Sequence, residues 1–293
     1  MNKYIPGNVC SKEWTDKTRY HSIDCIKFIL AIGIICHHYQ QVTGVSFDGI
    51  NFYGGKFYFG YFVEAFFILS GFLVAAAGLD RITADGFWPY LKRKAIRLYP
   101  MAILSVLFIW VAEALYYLHF DVFRGDTVSI GAWTLICSLA LIFSGGAVKL
   151  PNLALNNPLW YLSVLLICYV TVYIVCWVAG RSHIEPIKII FFAEFLFLGI
   201  YGYELDLPFL IQGSSRGLTA FFWGILLYHM ISRFSEVRYT ILSIFLLVLF
   251  ALLTLRFGDL WIDNQWGVWT FIVFPLILHI CIFFEKIFIG KFW

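Results

Sequence analysis

Lys27 and His38 lie eleven residues apart in a stretch that is otherwise almost wholly apolar, IDCIKFILAIGIICHHYQQ over residues 23–41. Read as a helix, eleven residues make three turns plus about 20°, so both side chains leave one face, roughly 16 Å apart along the axis. An imidazole that titrates near neutrality is well suited to take a proton from a hydroxyl. The plainer alternative is a histidine bonded to a backbone carbonyl. His37 points about 100° away from His38 and is the lesser candidate. A second apolar stretch, residues 63–73, carries Glu64. A carboxylate there can orient an imidazole and stabilise its charged form, or simply bond to another helix. Charged groups inside an apolar span cost free energy, so each of these needs a reason.

Other residues could bind rather than react. Arg93, Lys94 and Arg97 crowd the start of a third apolar run, just before Pro100. They are either anchors at a membrane edge or a phosphate-binding cluster. Asn157, Trp160 and Arg216 fall at the ends of later runs. An arginine there can snorkel to the interface or bind an acceptor, and a tryptophan can belong to the aromatic belt or offer a stacking surface. Ser70 and Gly71 read as small residues that let helices approach, because no Gly-x-Ser-x-Gly elbow surrounds the serine. Seven cysteines are present, six of them in apolar runs, and no Cys-x-x-Cys or Cys/His spacing occurs. They read as packing residues, and no metal site is expected.

The stretches that carry these groups read as membrane helices. Hydrophobic residues make up 61% of the chain and charged residues 13%, against about 25% charged in a soluble domain. Apolar runs fall at 23–40, 58–79, 97–119, 130–146, 158–179, 187–203, 214–232, 238–256 and 267–288, most of them close to the ~20 residues that cross a bilayer. The fourth is shorter. If it does not span and the N-terminus is cytoplasmic, fifteen Lys and Arg residues lie inside and four outside. Letting it span divides them far more evenly, so the positive-inside rule favours the first arrangement. The expected fold is all-α: a polytopic transmembrane bundle of eight spanning helices plus one short re-entrant or interfacial helix, with nine to ten spans if the fourth run crosses or the chain is truncated. Residues 1–21 read as a cytosolic N-terminal tail and 22–293 as one transmembrane domain. The basic residues belong to membrane edges, so no nucleic-acid partner is expected.

Four stretches together resemble the acyltransferase-3 family, membrane-bound O-acyltransferases of cell-surface glycans. Lys27 and His38 match its basic residue, ten intervening residues and histidine, with lysine in place of the commoner arginine. Residues 63–73 (VEAFFILSGFL) are similar to its acidic-x-Phe-Phe-x-x-Ser-Gly-Phe signature. Residues 93–100 (RKAIRLYP) resemble its basic loop ending in proline, and residues 157–162 (NPLWYL) its Asn-x-x-Leu-Trp-x-Leu element. The resemblance implies His38 and Glu64 as an acid–base pair. It implies acyl-CoA, most readily acetyl-CoA, as a co-substrate rather than a permanently bound cofactor. Lys27, Arg93, Lys94 and Arg97 would hold that donor. Asn157, Trp160 and Arg216 would face the acceptor, a hydroxyl of a cell-envelope glycan or lipid-linked sugar. The location it implies is a bacterial inner membrane, with membrane lipid around a multi-pass chain. A family member would continue past residue 293 into a last helix, so a short or truncated chain is expected here. Two other classes use the same elements: a transporter or exporter, against which stands the lack of paired half-repeats, and an inactive family member acting as a partner. The acceptor's identity, direct or covalent transfer, and the oligomeric state stay open at this point.

Overall fold

The structure is a computed structural model that describes residues 20–45, 51–55, 58–120, 131–141, 155–231, 237–257 and 265–289. The expected cytosolic tail, as far as residue 19, and the end of the fourth apolar run lie outside the described residues. The regular elements are helical: α1 (His21–Thr43), α2 (Phe62–Ala76), α3 (Phe87–Phe120), α4 (Ala132–Leu139), α5 (Trp160–Ser182), α6 (Pro186–Gly202), α7 (Gln212–Ile231), α8 (Val237–Phe257), α9 (Gln265–Val268) and α10 (Phe274–Ile289). A π-helical segment, Trp269–Val273, joins the last two. Among the described residues the β-structure is one isolated bridge between Leu207 and Leu210.

Among the described residues, six stretches are long and apolar enough to cross a membrane: His21–Thr43, Phe59–Ala76, Phe87–Phe120, Trp160–Ser182, Val237–Arg256 and Gln265–Glu285. Their outward side chains agree with that reading. Phe28, Val42, Phe108, Leu118 and Ile241 are all more than 60% exposed within the chain. In water such surfaces would be costly, and in lipid they are the natural exterior. The protein is a helical, multi-pass membrane protein. Helix α3 has 34 residues, about 51 Å at 1.5 Å each, so it exceeds the ~30 Å hydrocarbon core and its basic start can lie beyond it. Helix α4 has eight residues, about 12 Å, too short by itself to cross.

Contacts divide the chain into two units, residues 1–78 with 223–293, and residues 79–222. In the first unit α2 is the most enclosed helix, with Glu64, Phe67, Ile68, Leu69 and Phe72 buried. Helix α1 packs on α2 and α10, and α10 packs on α8. Small residues permit the close approaches. A Cβ at Gly33 would strike the Phe62 ring, and one at Gly224 would strike the Ile68 carbonyl; glycine therefore lets these backbones approach. The start of α1 is held from far along the chain. The His21 and Ser22 amides donate to the Glu285 carboxylate of α10, at 3.0 and 2.7 Å. A carboxylate at a helix N-terminus satisfies amides that have no partner within the helix and favours the dipole. Helix α1 ends at Gly44, whose left-handed φ of 66° lets its N–H close on the Gln40 carbonyl. His279 on α10 and Ser243 on α8 share a buried hydrogen bond of 2.9 Å.

In the second unit α5 is the enclosed helix, and it packs on α3 and α6. Val164, Cys168, Val172 and Ala179 are fully buried along it, so Cys168 serves here as a packing residue. Helix α5 turns into α6 through His183 in the left-handed conformation, and Pro186 opens α6, where its missing N–H costs nothing. Rings complete the core: Tyr169 meets Phe221 and Phe197 meets Phe222 edge-to-face.

Candidate active site

In the first unit the C-terminal end of α1 is built around two adjacent histidines with different surroundings. The buried face of α1 is Ile23, Leu30, Gly33, His37 and Gln40. His37 therefore lies inward, with Nδ1 donating to the Phe52 carbonyl at 2.9 Å. Its ring sits between Tyr53 and Tyr58, with centroids 5.2 and 4.9 Å away. His38 lies about 100° round, on the flank of the helix, and is half-buried. Its Nδ1 bonds Gln41 Oε1 at 2.9 Å. An amide oxygen only accepts, so in this pairing Nδ1 is the donor, and a neutral imidazole then has Nε2 as its basic nitrogen, as a general base requires. Lys27 shares this flank, half-buried, 4.0 Å from Asp24 one turn away.

Glu64 is fully buried in the first turn of α2. Its Oε1 accepts a hydrogen bond from Trp266 Nε1 of α9 at 3.1 Å. The expected orienting bond from Glu64 to His38 is thus replaced by two others: Gln41 holds the imidazole and Trp266 holds the carboxylate. The reason is helical phase. His37 and Gln40 occupy the inward face of α1, which leaves His38 beside its own i+3 neighbour.

Gln40 completes this end. Buried on the same face as His37, it accepts from the Phe52 and Tyr53 amides and donates to Asn51 Oδ1 at 2.9 Å. Two side chains of α1 therefore fasten residues 51–53 beside the histidines. Phe52, Phe59 and Phe62 continue as a stack, with centroids 4.6 and 4.4 Å apart.

In the second unit the basic cluster is sorted by the same rule. Lys94 turns between the rings of Tyr90 and Tyr169, 5.5 and 4.6 Å from their centroids. Arg93 pairs with Asp85 at 2.7 Å on the exposed side, and Arg97 is exposed. Trp160 and Arg216, 56 residues apart in sequence, are brought together, the guanidinium 5.6 Å from the indole centroid. Asn157 opens the short turn that leads into α5, and its side chain lies outside the described residues.

Residues 20–288 match the family described as an acyltransferase domain. The chain belongs to the acyltransferase-3 family. No curated protein and no solved structure matches it. As a member of that family the protein is a membrane acyltransferase.

Several residues of this acyltransferase escaped the sequence reading. Gln40 and Gln41 close the first apolar run and were legible as polar groups, but nothing in their spacing distinguishes a backbone clamp from an imidazole partner. Trp266 is 202 residues from Glu64 and Glu285 is 264 residues from His21, so no local pattern links them. Asp85 could have been suspected as a partner of Arg93, eight residues on.

Proposed function

We propose that the protein is an O-acyltransferase of a bacterial inner membrane that moves an acyl group, most readily acetyl, from cytosolic acyl-CoA to a hydroxyl of a cell-envelope glycan or lipid-linked sugar. The observation that carries this reading is the family match over residues 20–288 combined with His38, on the flank of α1, with Nε2 as its basic nitrogen. In the proposed orientation the N-terminus is cytoplasmic and eight helices span. Lys27 then lies at the cytosolic end of α1, and Arg93 and Arg97 at the cytosolic end of α3, where Lys94 is turned to the Tyr90 and Tyr169 rings. The CoA phosphates call for cations at that membrane face. The rise of roughly 16 Å from Lys27 to His38 is of the order of a pantetheine arm.

The chemistry is a single displacement. His38 Nε2 takes the acceptor hydroxyl proton as the oxygen bonds to the thioester carbon. The carbon–sulfur bond breaks, and the proton passes to the CoA thiolate. General-base catalysis of this kind contributes about 10²–10⁴-fold, and positioning of donor and acceptor contributes more. In this reading Glu64, buried in the same unit and bonded to Trp266, is the acidic partner that favours the imidazolium. Asn157, Trp160 and Arg216 take the acceptor side, with Trp160 as a stacking surface and Arg216 as a cation over it.

The test is transfer of labelled acetyl from acetyl-CoA to envelope glycan in membrane vesicles with and without the chain. Label that appears only with the chain supports the reading. Solute flux without acyl transfer, or no label with any acyl-CoA, overturns it.

A further inference from the structure

The mooring at the end of α1 has no part in the proton transfer described above, and it is heavily built. His37 and Gln40 are each 5% exposed. Between them they direct four hydrogen bonds at three consecutive residues, Asn51, Phe52 and Tyr53. The result is an aromatic residue held out beside His37, one ring away from the candidate base. Tyr53 is 44% exposed, although its backbone amide is fixed by a buried side chain. Its ring touches His37, and His37 in turn lies edge-on to His38 at 5.1 Å. Tyr58, 6.2 Å from Tyr53 and 4.9 Å from Tyr61, extends the surface. A fixed backbone under an open ring is the arrangement of a preformed binding surface, because little ordering entropy is left to lose when a ligand arrives.

We propose that the moored segment 51–53 is an acceptor subsite, with Tyr53 stacking against the C–H face of a pyranose ring and thereby presenting a ring hydroxyl toward His38. This deepens the proposed function and rests on it. The chemistry of the ring selects the ligand class. A tyrosine couples an apolar face to a polar rim, which matches a sugar's apolar C–H face and hydroxylated edge. A phosphate-rich donor would call for cations instead.

The experiment is a kinetic split in membrane vesicles, with labelled acetyl-CoA as donor and extracted envelope glycan as the varied acceptor. Tyr53→Ala is expected to raise the glycan KM about tenfold and to leave the acetyl-CoA KM within twofold, while Tyr53→Phe, which keeps the ring, stays near wild type. Gln40→Glu, which keeps both acceptor bonds to the amides, is expected to shift the glycan KM less than Tyr53→Ala. An unchanged glycan KM in Tyr53→Ala overturns the subsite while leaving the acyltransferase reading intact. Equal loss against both substrates also overturns it, because that is the signature of a damaged fold. A wild type that transfers no acetyl to glycan removes the reading beneath the subsite, and the subsite with it.

Discussion

The end of α1 and the start of α3 meet the same problem in different ways. Each crowds polar groups into an apolar helix, and in each the neighbours in sequence part company in space. At α1, His37 turns inward to a backbone carbonyl while His38 stays on the flank. At α3, Lys94 turns inward to two tyrosine rings while Arg93 and Arg97 face outward. The α1 pair is held by hydrogen bonds of fixed geometry, and the α3 cluster by ring contacts and a surface ion pair. The lesson is that residue type nominates a functional group, whereas helical phase assigns it to structure or to chemistry. Orientation is also tighter at α1, as the proposed proton transfer requires, and looser at α3, as the proposed attraction of an anion allows.

The largest expected effect separates the two histidines. His38→Ala is expected to lower acyl transfer by about 10²–10⁴-fold with a normal amount of folded chain. His37→Ala is expected to act mainly on the amount of folded chain, measured by size-exclusion chromatography in detergent. Comparable folding with the larger activity loss in His37→Ala would invert the comparison. Next is Gln40→Leu, which leaves two backbone amides without their acceptor. Unsatisfied groups cost about 1–3 kcal/mol each, so the thermal midpoint in detergent should fall clearly; no fall would mean the mooring is not a real contact. Glu285→Ala removes the carboxylate from the start of α1. A lost cap costs about 0.5–2 kcal/mol, so a smaller fall in the midpoint is expected, with transfer by the folded fraction retained. The smallest effect is at α3. Arg97→Ala should raise the acyl-CoA KM several-fold, while Lys94→Met, which keeps the volume between the rings, should change it less than twofold and cost about 0.5–2 kcal/mol of stability. If Lys94→Met has the larger effect on KM, the cage is a binding site and the division by helical phase fails at α3.

Much of the fold was legible because lipid imposes long apolar runs. Six of the eight expected spans have helices that meet the length and apolarity of a crossing. The other two are α6, of 17 residues, and α7, whose first turns carry Ser214, Ser215 and Arg216. The site was legible in its residue types and less so in its pairings. The eleven-residue spacing put Lys27 and His38 on one flank, as the structure has them. It did not reveal that the inward face is a different one, because apolar residues surround both. The Glu64–Trp266, Glu285–His21 and Trp160–Arg216 contacts depend on tertiary packing between helices far apart in sequence. Only Trp160 and Arg216 were nominated together, from their place at the ends of apolar runs and from the family resemblance.

The central claim is that His38 takes the acceptor's proton. Its most direct test is chemical rescue: the initial rate of acetyl transfer from acetyl-CoA to envelope glycan by the His38→Ala protein, with and without added imidazole. The account predicts a rate close to background without imidazole and a rise with imidazole concentration, with no such rise for Glu64→Ala. Undiminished transfer by His38→Ala in the absence of imidazole would contradict it.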